Sequence, residues 1–291
     1  MLHLFAGHMD RWKTLSLEAG ATLATHLVFL VRGAVDDMPP LTALEIELES
    51  EQIPQAIVEE LASQIASLQY LRKLYWMNWR YGFNLPNLPW EQYDDIMIHS
   101  RFAVEESIIF LSRCTSATSV ALRGFRKPEY YSTPFNRPHT TLHHLTALTL
   151  DKSSDPLAAL SHFTLPSLRF LEIGLHGRDF ECLEKFLWRS QCPLRELVVI
   201  DLNLLADDIA AFFRFSWLTP IPNVKLGPTH DDAKMLGFMK QFEKAGVLLP
   251  DLFVWLEPVV DWPLLVGWME RGIQETYFSY ENGKLIAPMV F

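Results

Sequence analysis

The sequence predicts an α/β fold: an open solenoid, or horseshoe, of about ten irregular strand–helix repeats with a parallel sheet on its concave face. Three observations predict it. A short apolar pattern recurs at a near-fixed spacing through the 291 residues. Within each copy the inner apolar positions alternate with period 2, as in a half-buried strand, whereas the stretches between copies carry helical spacing. The residues flanking the inner apolar positions are often polar, so one face of the strands is expected to be wet.

The clearest copy, Leu41-Thr-Ala-Leu44-Glu-Ile46-Glu-Leu48, returns as Leu145-Thr-Ala-Leu148-Thr-Leu150. The shared pattern is apolar, two variable, apolar, one variable, apolar. In chain order it predicts strands at Trp12/Leu15/Leu17, Leu41/Leu44/Ile46, Leu71/Leu74/Trp76, Tyr93/Ile96/Ile98 and Ala117/Val120/Leu122. It continues at Leu145/Leu148/Leu150, Leu168/Leu171/Ile173, Leu194/Leu197/Val199, Ile221/Val224/Leu226 and Leu249/Leu252/Val254. The middle positions are separated by 29, 30, 22, 24, 28, 23, 26, 27 and 28 residues. These steps match the roughly 20–29-residue period of leucine-rich repeats, with one step a residue over. The Asn usual in such repeats, five residues after the middle position, is absent: Gly20, Glu49, Trp79, Arg101, Phe125 and His176 stand there. An Asn ladder therefore cannot stiffen the turns.

Helices are expected between the strands. Ile53, Ile57, Leu61, Ile65 and Leu68 share one face over 51–68. Leu205, Ile209, Phe212 and Phe213 do so over 204–217, and Met235, Phe238, Met239 and Phe242 over 231–245, with Thr229 as cap and Gly246 as stop. Shorter helices are expected at 103–112 and 178–190. An alternation of strand and helix also suits a doubly wound or barrel fold. Strands buried on both faces would read as continuous Val/Ile runs, however, and Glu45, Glu47, Lys73, Thr149, Asp151, Glu172 and Glu196 interrupt them. The whole chain, 1–291, is read as one domain. Loops are expected at 126–141 and 219–230, a turn at Glu281-Asn-Gly-Lys284, and a C-terminal cap over 272–291.

Composition narrows the function. The net charge of −10 disfavours nucleic acid and anionic membrane surfaces, which need a cationic protein. Three cysteines, Cys114, Cys182 and Cys192, are too few for a disulfide scaffold and fit a reducing compartment, cytoplasmic or nuclear. Cys182 is expected to pack within the helix at 178–190. No signal sequence and no membrane span is legible. Neither a nucleophile elbow, a zinc-protease motif, a phosphate loop nor a dinucleotide fingerprint occurs. No enzyme, no cofactor and no metal is expected. His139, His143 and His144 form the densest cluster of potential ligands, but Pro138 and two threonines argue against a shared helix face. The acidic pairs Glu105-Glu106, Asp207-Asp208 and Asp231-Asp232 fall at expected helix starts, where the dipole favours them. Asp94-Asp95 is anomalous, because Asp95 enters a strand.

What remains is surface. The concave face is expected to display Thr14, Ser16 and Glu18 ahead of the principal candidates for binding. Those candidates are Glu45, Glu47, Lys73, Tyr75, Met77, His99, Arg123, Asp151, Phe170, Glu172, Glu196, Phe253 and Trp255, and the same face is expected to display Asp95 and Met97 beside them. Large aromatics and Met anchor interfaces, and acids give charge complementarity.

The opening His8-Met-Asp-Arg11-Trp12-Lys-Thr-Leu15-Ser-Leu17 resembles the H-x-x-R-W-x-x-L-x-L segment that follows the F-box in many mushroom-type fungal F-box proteins. The Leu-Arg-x-Leu strands at 71–74, 168–171 and 194–197 are similar to that family's repeats. The resemblance implies a substrate receptor of a cullin-RING ubiquitin ligase: the repeats capture a target protein, and an F-box docks on the ligase adaptor. The F-box itself is absent from this sequence, so the adaptor is a partner only if an F-box precedes Met1. The alternative is a leucine-rich-repeat scaffold or regulator, such as an effector of a small GTPase, outside the ubiquitin system.

Overall fold

A computed structural model describes residues 13–20, 22–26, 28, 41–48, 53–81, 88–125, 139–150, 156–174, 180–200, 221–227, 253–254, 279–281 and 284–286. The chain divides into two compact units, Met1–Thr149 and Leu150–Phe291. Each is mixed α/β and carries an open, parallel sheet whose strands follow in sequence order. The expected helices at 204–217 and 231–245 lie outside the described residues.

The first unit holds β1 (Thr14–Ala19), β2 (Ala43–Leu48), α1 (Gln55–Ala66), β3 (Lys73–Tyr81) and a short 3-10 turn at Trp90–Gln92. It continues with β4 (Asp95–Phe102), α2 (Val104–Arg113), β5 (Ser119–Phe125) and β6 (Thr140–Thr141), and β7 (Ala147–Leu150) stands at its boundary. β1 to β5 pair as parallel neighbours, and the pairing aligns Leu15, Leu44, Leu74, Ile96 and Val120, the middle positions of the first five repeats. The next row aligns Leu17, Ile46, Trp76, Ile98 and Leu122. From β2 onward both rows are almost completely buried, as are the leading positions Leu41, Leu71, Tyr93, Ala117 and Leu145. Leu15 and Leu17 at the sheet's first strand are only half-buried. The stripe Val58, Leu61, Ala62 and Ile65 of α1 and the stripe Ile108, Phe110 and Leu111 of α2 belong to the same core. Packing these rows is the chief source of stability, each fully buried side chain contributing about 1.5–3 kcal/mol.

One backbone device recurs at the foot of β2, β3, β4, β5 and β7. The carbonyl of Lys13 accepts the amides of Thr42 and Ala43, and that of Thr42 accepts Arg72 and Lys73. Arg72 accepts Asp94 and Asp95, Asp94 accepts Thr118 and Ser119, and Thr118 accepts Thr146 and Ala147. At Thr42, Thr118 and Thr146 the hydroxyl donates to the same carbonyl, at 3.0, 3.0 and 2.9 Å. This relay explains why Thr follows the leading Leu in both near-identical copies. It ties successive strand entries together without an Asn ladder. Three of the positions where that Asn would stand, Trp79, Arg101 and Phe125, instead prolong β3, β4 and β5 as strand.

Between β3 and β4 an aromatic plug replaces a long helix. Trp90 meets Phe110 of α2 edge-on at 4.7 Å between centroids and Tyr93 at 5.9 Å. Arg113 donates to the Leu88 carbonyl at 3.2 Å. The Tyr93 hydroxyl is buried without a hydrogen-bond partner among the described residues, and its desolvation pushes its pKa well up. Glu105 and Glu106 lie in the first turn of α2, as expected, and the Glu106 carboxylate accepts the Ala103 amide at 2.7 Å.

The second unit contains α3 (Pro156–Leu160), β8 (Phe163–Thr164), β9 (Phe170–Gly174), α4 (Phe180–Ser190), β10 (Glu196–Ile200), β11 (Asn223–Gly227) and β12 (Phe253–Val254). β9 to β12 are parallel neighbours, and Leu171, Leu197 and Val224 align as the repeat spacing requires. An antiparallel pair, β13 (Ser279–Glu281) and β14 (Lys284–Ile286), joins Glu281 to Lys284 across the expected turn. α4 buries Phe180, Leu183, Phe186, Leu187 and Ser190. Arg189 clamps it to the preceding segment: Nη2 donates to the carbonyls of Leu160 and Phe163, each at 2.8 Å, and Nε donates to Phe163 at 3.2 Å. Ser190 Oγ accepts the Leu165 amide at 3.2 Å.

Three local expectations need correction. Cys182 does lie in the helix at 178–190, but it is exposed, because the buried stripe runs through Leu183 and Leu187 and turns residue 182 outward. Thr149, expected on the wet face, is 9% exposed. The loop expected over 219–230 is interrupted by β11, at the strand that the repeat pattern expects at Ile221/Val224/Leu226. Among the described residues, no helix is long and apolar enough to cross a membrane.

Candidate functional site

Strand alternation sends every second residue of β1–β5 away from the buried rows. The register then sorts these side chains into three transverse rows. The first is Thr14, Ala43, Lys73, Asp95 and Ser119; the second Ser16, Glu45, Tyr75, Met97 and Ala121; the third Glu18, Glu47, Met77, His99 and Arg123. All are exposed or half-exposed, in contrast to the buried rows beside them. Seven of the binding candidates, Glu45, Glu47, Lys73, Tyr75, Met77, His99 and Arg123, thus stand together on one sheet face of the first unit.

The centre of this face is ordered by a small polar network. The Tyr75 hydroxyl donates to Asp95 Oδ2 at 2.8 Å, and Lys73 Nζ lies 3.8 Å from the same oxygen. Asp95, the anomalous acid at a strand entry, therefore has two partners on the neighbouring strand. Desolvation, the hydrogen bond to Asp95 and the charges of Asp95 and Glu45, in that order, push the Tyr75 phenol up to about 12. Met97 is the register partner of Tyr75, and Met77 stands in the next row. Acids dominate the β1–β2 side through Glu18, Glu45 and Glu47, and Arg123 marks the β5 side.

In the second unit, Phe170 and Glu172 on β9 and Glu196 on β10 are half-exposed, and Phe170 is the register partner of Glu196. Asp151, Trp255 and the side chain of Phe253 lie outside the described residues. Residues that the sequence reading passed over also share these faces: Ser119 and Ala121 on β5, and Val198 on β10. Alternation alone marks them, but their small or apolar side chains give no chemical signal. Trp188 of α4, 78% exposed, is likewise missed. His139, His143 and His144 are all exposed, and Thr140–Thr141 is a strand, so the four-residue spacing does not place two of them on one helix face. Among the described residues, no group of three or more His, Cys, Asp or Glu side chains could hold a metal ion.

The face therefore offers thioethers, a phenol, carboxylates and a guanidinium on a rigid parallel sheet. These are contact groups, suited to bury against a complementary surface. No protein-family model matches the chain, and no curated protein matches it.

Proposed function

We propose that this chain is a non-enzymatic protein-recognition module. It is a leucine-rich-repeat-like solenoid whose concave sheet face holds a partner polypeptide, and it serves as the substrate-binding repeat region of an F-box-type receptor for a cullin-RING ubiquitin ligase. One observation carries the recognition part of the reading. Strands placed by the sequence repeat align in register, burying one face and leaving the other half-exposed, with Tyr75, Met77 and Met97 amid charges. A sheet built for stability alone gains nothing by leaving thioethers and a phenol in water; an interface does. The ligase part rests on the likeness of residues 8–17 to the segment that follows an F-box in the mushroom-type fungal proteins.

Affinity purification of the full chain, followed by mass spectrometry, tests both parts. The reading expects a target polypeptide whose recovery falls when Met77→Asp and Met97→Asp are introduced together, with an unchanged circular dichroism spectrum. Equal recovery by the parent and the double variant rejects the sheet face as the binding surface. A separate pulldown with the ligase adaptor, using the chain joined to whatever in-frame sequence precedes Met1, tests the ligase role; failure to bind removes it.

A further inference from the structure

If the first unit's face takes a polypeptide, its charges specify what that polypeptide carries. Glu18 and Glu47 are direct cross-strand partners, and Glu45 stands two residues before Glu47 on the same side of β2. Like charges placed directly opposite are unfavourable. Among the described residues neither Glu18 nor Glu47 has a cationic partner, and at the far side Arg123 on β5 is exposed without a carboxylate partner. The ion pair of Lys73 with Asp95 lies in the first row, where Asp95 is also engaged by Tyr75. It neutralises neither end of the third row. Between the two ends lie the half-exposed thioethers of Met77 and Met97.

The spacing fits an extended chain. Glu47 and Arg123 are three strand steps apart, about 14 Å at about 4.8 Å per step. A segment laid across the strands turns alternate side chains toward the face, so its residues i and i+4 stand about 13 Å apart. We propose that this face binds an extended segment crossing the strands. A Lys or Arg of that segment lies on Glu18 and Glu47, an apolar side chain two residues away lies on Met77 and Met97, and an Asp or Glu two residues beyond that lies on Arg123. Side-chain contacts leave the chain direction open, so the recognised pattern is basic-x-apolar-x-acidic or its reverse. This specificity rests on the recognition reading above.

Selection of a phage-displayed random heptapeptide library on the immobilised full chain tests it. The expected result is enrichment of the basic-x-apolar-x-acidic pattern in either direction. A synthetic peptide carrying it is expected to lose at least about tenfold in affinity for the Glu18→Lys/Glu47→Lys variant, because charge reversal places like charges together. The variant is further expected to select peptides acidic at both ends, with a circular dichroism spectrum unchanged from the parent. Enrichment of peptides without this pattern, or an affinity untouched by the charge reversal, overturns the specificity while leaving the face a binding surface. Absence of any enrichment over a surface without the protein rejects the recognition reading itself, and the specificity with it.

Discussion

At the scale of single residues, two positions in the first unit show how local chemistry supports the face. Gly124 in β5 has φ +90°, and a Cβ there would press into the carbonyl oxygen of Ser100 on β4. It sits where the β4–β5 register becomes irregular, between His99 and Phe102. Gly124→Ala is therefore expected to destabilise the chain by about 1–3 kcal/mol from the backbone alone. A urea midpoint equal to the parent's would contradict this. Tyr75 supplies the second case. Its pKa in the fold lies at about 12 against an ordinary value of 10.0, because burial, the bond to Asp95 and the charges of Asp95 and Glu45 favour the neutral phenol. The sign follows directly. The stabilisation is fully present below about pH 10 and is lost as pH rises through about 12. Tyr75→Phe removes this dependence, so the difference in urea midpoint between the parent and the variant is expected to shrink across that window. An ultraviolet titration of the variant should also lack the corresponding late tyrosinate. A difference that stays constant with pH would show that the fold does not raise the Tyr75 pKa.

Elements are held together by two devices. The strand-foot relay joins Lys13, Thr42, Arg72, Asp94 and Thr118 through their carbonyls, with Thr hydroxyls reinforcing three of the steps. Thr118→Val keeps shape and β propensity but loses the bond to the Asp94 carbonyl. It is expected to cost about 0.5–1 kcal/mol by urea unfolding, and no measurable cost would show the hydroxyl to be idle. In the second unit Arg189 carries more, since three of its hydrogen bonds fasten α4 to Leu160 and Phe163. Arg189→Met is expected to cost about 2–3 kcal/mol, as two carbonyls lose a charged donor; a cost below about 0.5 kcal/mol would contradict the clamp. The strands and the helices α1, α2 and α4 were legible because hydrophobic periodicity fixes them: the buried rows from Leu44 to Val120 and from Ile46 to Leu122 lie in the register that the spacing implied. The relay and the clamp were not legible. Each depends on backbone carbonyls of a neighbouring strand or segment, which no side-chain pattern encodes. Cys182 failed for a related reason: a helix can be read from its apolar stripe while the phase of one adjacent residue is misassigned by a single position.

For the whole molecule, the repeat sets where the core lies. From β2 through β10, the leading, middle and last apolar positions of each repeat are buried. The grouping of the candidates was legible to the extent that alternation is: Glu45, Glu47, Lys73, Tyr75, Met77, His99 and Arg123 share one sheet face. The pairing of Tyr75 with Asp95 and the opposition of Glu18 to Glu47 required the strand register, which fixes neighbours that sequence separation conceals. The central claim is that this face is where a partner polypeptide rests. Oxidative footprinting tests it most directly, because Met77 and Met97 present thioethers that oxidise when solvent reaches them. The full chain, free and in complex with a polypeptide recovered by affinity purification, is exposed briefly to peroxide, and sulfoxide is quantified at each methionine. The account expects Met77 and Met97 to be oxidised in the free chain and protected in the complex. Equal oxidation of both residues in the two states, with protection appearing elsewhere, would contradict it.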